Sequence, residues 1–200
     1  MRKIRGFKLN LRIKEVQRRA KKAGLDLESI AFIQPVGRGK EPVTTPAFEE
    51  LIAKASASAS PAVVFESFAH PDPAETALLS PIPGLAYSLV LATLGESFVA
   101  FRTAGTEQGL APANVFDVVE DVALEDVVRF AGSILEQEAA LEACELSPLT
   151  ILSETPALEL SLRKLDGSKI GLGLSDGKLT PLASRACSLS WLAKSKSKKK

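Results

Sequence analysis

Residues 113–146 constrain this chain more than any other stretch, because their apolar side chains recur at helical spacing over many turns. Val115, Val118/Val119, Val122, Val127/Val128, Ala131, Ile134/Leu135 and Leu141 follow one another at the spacing of a single long helix. Asn114 stands where an N-cap belongs, with Asp117 three residues on, a variant of the capping box. Pro148 ends the segment, and Gly132 marks either a close packing contact or a break. The segment is also acidic. Asp117, Asp121 and Glu125 fall at i, i+4 and i+8, flanked by Glu120 and Asp126. Such a row can gather a hard divalent cation or act as paired acid and base. Metal clusters, however, usually draw ligands from several elements, and acids early in a helix gain from its dipole. The spacing therefore favours a solvated or partner-binding face.

The net charge is only +1, but it is segregated along the chain. Residues 1–22 hold ten Lys/Arg and one acid, Glu15, while residues 194–200 hold five Lys and no acid. The stretch 23–193 carries 10 basic and 23 acidic residues, so an acidic body of −13 lies between ends of +9 and +5. The opening IRGFKLNL alternates Ile4, Phe7, Leu9 and Leu11 with Arg5, Lys8 and Asn10, which reads as a half-buried strand with a basic outer face. From Arg12 to Ala23, the residues Ile13, Val16, Ala20 and Ala23 form a narrow apolar stripe on a basic helix stopped by Gly24. Arg12, Lys14, Arg18, Arg19, Lys21 and Lys22 are the candidate anion- or partner-binding residues. They can neutralise nucleic-acid phosphates, with the Lys-rich tail adding nonspecific affinity, as in a nucleic-acid- or ribosome-associated protein. Docking on the acidic helix of the same chain or of a second subunit, the latter giving a homo-oligomer, is the favoured reading, since the body's −13 repels nucleic acid. No aromatic residue is interleaved among them for base stacking, since Phe7 is the only aromatic before Phe32.

Elsewhere, 34–46 is loop-like, Pro46 can start a short helix through about Lys54, and ASASASP at 55–61 reads as a linker or exposed loop. Ala62–Ala69 and Leu85–Leu94 are β-type runs, and Glu96–Thr103 reads as another strand or the first turn of a helix. Thr150–Leu152 follows, then a helix at 156–165, a strand at Ile170–Leu174, an Asp176-Gly177 turn, a strand near Cys187–Leu192 and a disordered SKSKKK tail. IGLGLSDG approaches the dinucleotide-binding glycine fingerprint, but Pro181 blocks the helix that must follow it. Helices and strands mix without regular βαβ alternation, which predicts an α+β fold. The expected organisation is a basic strand, helix and loop extension over 1–60, an α+β core over 61–193 and a tail over 194–200.

Several chemistries are excluded at this level. No apolar stretch approaches a membrane span, and the start lacks the apolar core of a secretory signal. It is Arg-rich and nearly acid-free, as mitochondrial presequences are, but lacks their serine. Cys144 and Cys187, 43 residues apart, form no disulfide framework, so a cytoplasmic location is expected. The single histidine, His70 in FAHPDP, would have to serve any zinc site or His-based triad; a strand-end or turn histidine is the simpler reading, and no metal site is expected.

Four stretches resemble, in their order, the activation domain of cobalamin-dependent methionine synthase. IKEVQRRAKKAG (13–24) is similar to the opening helix of that family, and YSLVLATLG (87–95) to its central strand ending in Thr-Leu-Gly. FDVVEDVALEDVVRFAGSILEQE (116–138) is similar to its long helix, and SKIGLGLSDGKLTPLASRACSLSWL (168–192) to its closing pattern. The resemblance implies a mostly antiparallel, curved sheet packed with one long helix and shorter helices. It implies S-adenosylmethionine or a corrinoid as cofactor, and a corrinoid protein as partner. One departure bears on the site. Where that family has an Arg-Pro-x-x-Gly-Tyr type segment to hold S-adenosylmethionine, this chain reads SPLTILSE (147–154), keeping Ser147-Pro148 without Arg, Gly or Tyr. No binding residue is therefore carried over, and an accessory or degenerate module is expected.

Overall fold

The computed structural model describes residues 1–9, 11–25, 31–33, 44–46, 48–69, 72–80 and 82–194. In chain order the elements are β1 (Arg2–Arg5), α1 (Ile13–Lys22), β2 (Ala31–Ile33), β3 (Thr44–Pro46), α2 (Phe48–Ser58), β4 (Ala62–Ala69), α3 (Pro73–Leu79) and β5 (Ala86–Thr93). Then follow α4 (Glu96–Glu107), α5 (Ala113–Leu141), β6 (Cys144–Leu146), β7 (Thr150–Leu152), α6 (Thr155–Leu165), β8 (Gly173–Ser175), β9 (Lys178–Thr180) and β10 (Ser184–Ala193). The main sheet runs β1-β4-β5-β10-β6, and β7 pairs with β10 beside β6. Every pairing in it is antiparallel. The fold is α+β, with an antiparallel sheet, one long helix and shorter helices.

The sheet is covered on both faces, and the alternation of its side chains explains how. In β4, Val63 and Phe65 point to one side while Ala62 and Val64 point to the other. In β5, Val90 and Ala92 join the first side, and Tyr87, Leu89 and Leu91 the second. A strand buried on both faces needs apolar residues at every position, which is why VVF and LVLA are continuous runs. Val115, Val119, Val122, Val127, Ala131 and Leu135 of α5 pack on the first side with α2 and Phe98 of α4. Leu79 of α3, Leu158, Leu160 and Leu165 of α6, and Leu179 of β9 cover the second. Serine and tryptophan groups inside this core pair with one another, while the buried Tyr87 hydroxyl has no hydrogen-bond partner among the described residues. The Trp191 indole N–H donates to Ser88 Oγ at 2.7 Å, and Ser88 in turn meets Ser67 Oγ at 2.8 Å.

The structure revises several local expectations. ASASASP is no linker up to Ser58: α2 runs through it, and Ala55 is fully buried in the core. Alanine is the best helix former, so an Ala/Ser run joined to an amphipathic segment extends the helix. Glu96–Thr103 is helical. The long helix starts at Ala113 after Pro112, so Asn114 lies inside its first turn rather than at its cap. It stops at Leu141, before Pro148; Ala143 adopts φ 53°, and the chain enters β6. The expected strand at Ile170–Leu174 is a 3-10 turn over Gly167–Ile170, turned by Gly171 at φ 75°, and only Gly173–Ser175 is extended. Asp176 (φ 51°) and Gly177 (φ 73°) make the tight hairpin turn between β8 and β9. His70 and the SKSKKK tail lie outside the described residues. Among the described residues, no helix is long and apolar enough to cross a membrane.

One glycine sets the approach of α4 to α5. A Cβ on Gly105 would lie 2.5 Å from Cζ of Phe116, whose ring is fully buried. Gly105→Ala gains about 1 kcal/mol of helix propensity but overpacks the contact by about 1–3 kcal/mol. A net loss of about 1 kcal/mol is expected in urea unfolding; a variant more stable than the parent would show that the two helices separate freely.

Candidate functional site

The acidic row of α5 is met by arginines from α4, β10 and α1, by Arg12 just before α1, and by Arg129 of α5 itself. Asp117 accepts from Arg102 Nη2 of α4 at 2.5 Å, and Glu120 from Arg102 Nη1 at 2.7 Å. Asp121 accepts from Arg185 Nη2 of β10 at 2.7 Å. Glu125 takes both Nη1 and Nη2 of Arg19 of α1, each at 2.7 Å, in a two-point pair. Asp126 accepts from Arg12 Nε at 2.9 Å and from Arg129 Nη1 at 3.4 Å. The row is thus an arginine–carboxylate ladder. Nothing in the sequence marked Arg102 and Arg185 as its partners, because they lie on separate elements that only folding brings to α5.

The six candidate cations of the basic segment divide between two faces of α1. Arg12 and Arg19 turn toward α5, where Val16 and Ala20 are buried. Arg18 turns back on its own helix and donates to Glu15 through Nε at 2.8 Å and Nη2 at 2.7 Å. Lys14, Lys21 and Lys22 are exposed. The basic helix therefore docks on the acidic helix of its own chain. Arg18 first, then Arg19, hold the Glu15 carboxyl down at about 2. Arg19 is raised by its bonds to Glu125 and Glu15.

Beside the ladder lies a cleft of about 430 Å³ between α5 and residues 147–151. It exists because the edge of the sheet is interrupted: β6 pairs with residues 191–193 of β10 and β7 with 186–188, leaving Ser147, Pro148 and Leu149 to loop outward. Buried Ser147 anchors the loop, its N–H donating to Ser190 O at 2.8 Å and its Oγ accepting from Ser190 N–H at 2.9 Å. Leu149 and Ile151 are left 38% and 54% exposed beside the opening. Gly132 neither breaks α5 nor makes a close contact; it borders the cleft, with nothing within 4 Å of where a Cβ would stand. The walls mix Val128 and Leu189 with Glu125, Glu136, Arg129 and Arg185. Such a lining suits a ligand carrying both charges and a flat apolar part.

Among the described residues, no group of three His, Cys, Asp or Glu side chains could hold a metal ion. Cys144 and Cys187 are free and buried, and burial pushes the Cys187 thiol up to about 12, far from a reactive thiolate.

Arg19→Glu sets a carboxylate against Glu125 and Glu15, and a loss of about 1 kcal/mol is expected, modest because the pair is partly solvated. Adding Glu125→Arg should restore part of it, as read by thermal unfolding; independent, additive losses would dissolve the ladder. The Glu15 contribution is complete above its ordinary value of 4.5 and disappears as pH falls toward about 2, so the parent should lose more stability than Glu15→Gln over that interval. No protein-family model matches this chain, and no curated protein does.

Proposed function

We propose that this protein is an accessory, activation-domain-like module that binds S-adenosylmethionine in the cleft between α5 and residues 147–151, as part of corrinoid chemistry in a reducing cytoplasm. The observation that carries this reading is the cleft's position, at the SPLTILSE stretch, where the resembling family holds that cofactor. Its lining supports the same ligand. Glu136 is an exposed carboxylate at the rim, suited to the ammonium or sulfonium, and Arg129, only loosely paired with Asp126, supplies with Arg185 the cations for the carboxylate. Leu149 and Ile151 offer an apolar bed for the adenine. A volume of about 430 Å³ fits a molecule of that size and not a corrinoid, which would arrive on a partner protein. Calorimetric titration with S-adenosylmethionine should give saturable heat at micromolar levels, weakened roughly tenfold by Glu136→Gln. Silence up to millimolar cofactor would remove the reading.

A second reading rests on the outer face of α1. Lys14, Arg18, Lys21 and Lys22 all face solvent, a basic stripe that the ladder does not consume except through Arg18 and Glu15. We infer for this face a nucleic-acid contact, made through backbone phosphates. Deleting 1–22 is a poor test, since β1 belongs to the sheet and Val16 to the core. Changing the three lysines to Gln should abolish binding to a labelled RNA and flatten its salt dependence; binding that persists unchanged would count against this contact.

A further inference from the structure

A second hollow, of about 400 Å³, lies where the strand-to-helix connection before α1 meets α5. Its most distinctive feature is a pair of aromatic rings from distant parts of the chain. Phe7 and Phe130 stack with centroids 4.8 Å apart and planes 21° apart. Phe130 remains 37% exposed on the surface of α5. Such a stack occupies one face of each ring, and the ring surface of Phe130 left open is available for a further aromatic contact. Folding thus supplies the aromatic surface that the basic segment lacks in sequence.

The charges around this platform are unequal. Lys8, Arg12 and Arg129 line the hollow against one carboxylate, Asp126. Asp126 is already held by Arg12 and Arg129, so the hollow keeps a positive excess. Arg12 is also incompletely used. Its Nη2 makes no hydrogen bond and only approaches Glu125 Oε2 at 3.7 Å, and Asp126 Oδ2 likewise has no hydrogen-bond partner. Both atoms lie beneath the surface. The Arg12 side chain lines the hollow and is 37% exposed, so an anion entering there meets a guanidinium whose Nη2 has no hydrogen-bond partner among the described residues.

We propose that this hollow is a binding site for a mononucleotide, its base stacked on the Phe7–Phe130 pair and its phosphate held by Lys8, Arg129 and Arg12. An aromatic face and a cluster of guanidinium and ammonium groups within one small hollow match the two halves of such a ligand. A simple anion would leave the rings unused, and an uncharged apolar ligand would leave the cations unused. The site is distinct from the cleft of the proposed function, although Arg129 and Ser133 border both.

The test is titration of the full chain with AMP and GMP, alongside adenosine and inorganic phosphate as separate probes. Either nucleotide should saturate, with adenosine and phosphate each weaker by roughly tenfold or more, since stacking and the phosphate contacts each carry part of the affinity. Phe130→Ala should weaken AMP roughly tenfold while Phe130→Tyr retains it. Arg129→Gln, at an exposed position, should weaken AMP and reduce its salt dependence, and this variant decides the matter if Phe130→Ala does not fold. Equal affinity for AMP and phosphate would overturn the proposal. So would unchanged AMP binding by folded Phe130→Ala, no saturation by either nucleotide, or binding only of a single-stranded oligonucleotide. Displacement of AMP by S-adenosylmethionine that persists in Arg129→Gln, where the cation common to both hollows is gone, would also overturn it by reducing two sites to one. Failure of S-adenosylmethionine to bind, with AMP still saturating, would remove the proposed function and leave this site standing.

Discussion

A long helix that buries one side of itself against a sheet cannot leave its carboxylates facing other packed elements without an opposite charge. That constraint organises the α5 side of this protein. Asp117, Glu120, Asp121, Glu125 and Asp126 lie along the flank of α5, and arginines from α4, β10 and α1 reach them. Each pair is partly solvated and individually worth little. Their joint effect is geometric: they tie α1, α4 and the start of β10 to the same helix. The apolar contacts supply most of the stability, and the ladder selects the arrangement in which they are made.

The same constraint gives meaning to a charge distribution that looks peculiar along the chain. The basic beginning is drawn to the acidic body, and the alternating stripe of α1 decides which cations are absorbed. Arg12 and Arg19 fall on the buried side with Val16 and Ala20; Lys14, Lys21 and Lys22 fall on the other. Docking then creates what neither segment has alone. The approach of the chain before α1 brings Phe7 against Phe130. That hollow is a by-product of how one charge pattern is satisfied, whereas the cleft at Ser147–Ile151 comes from the interrupted sheet edge.

Much of the fold was legible because its signals are local. The 3.6-residue spacing of α1 and α5, the continuous apolar runs of β4 and β5, and the Asp176-Gly177 turn each depend on neighbours within a few residues. The errors came where tertiary context decides. An Ala/Ser repeat reads as a linker unless one sees that Ala55 is needed in the core, and the end of α5 depends on Ala143 adopting a left-handed backbone that β6 requires. The candidate site was legible only in half. The carboxylate row and the basic helix were visible as patterns, but Arg102, Arg185 and the Phe7–Phe130 stack involve partners that no spacing rule connects. Gly132 was visible as an oddity in the helix, and its meaning appeared only when the cleft did.

The looped stretch at Ser147–Leu149 has a consequence for how this protein behaves at high concentration. A sheet ends in strands with unused backbone donors and acceptors, and a long, flat margin invites another molecule to continue it. Here one margin is cut into two three-residue pieces, β6 and β7, by the outward loop. The other margin, β1, is four residues long and carries Arg2, Lys3 and Arg5. Neither offers enough uninterrupted backbone, free of charge, for a second chain to align on. The interruption that opens the cleft also shortens the backbone margin available for edge-to-edge pairing.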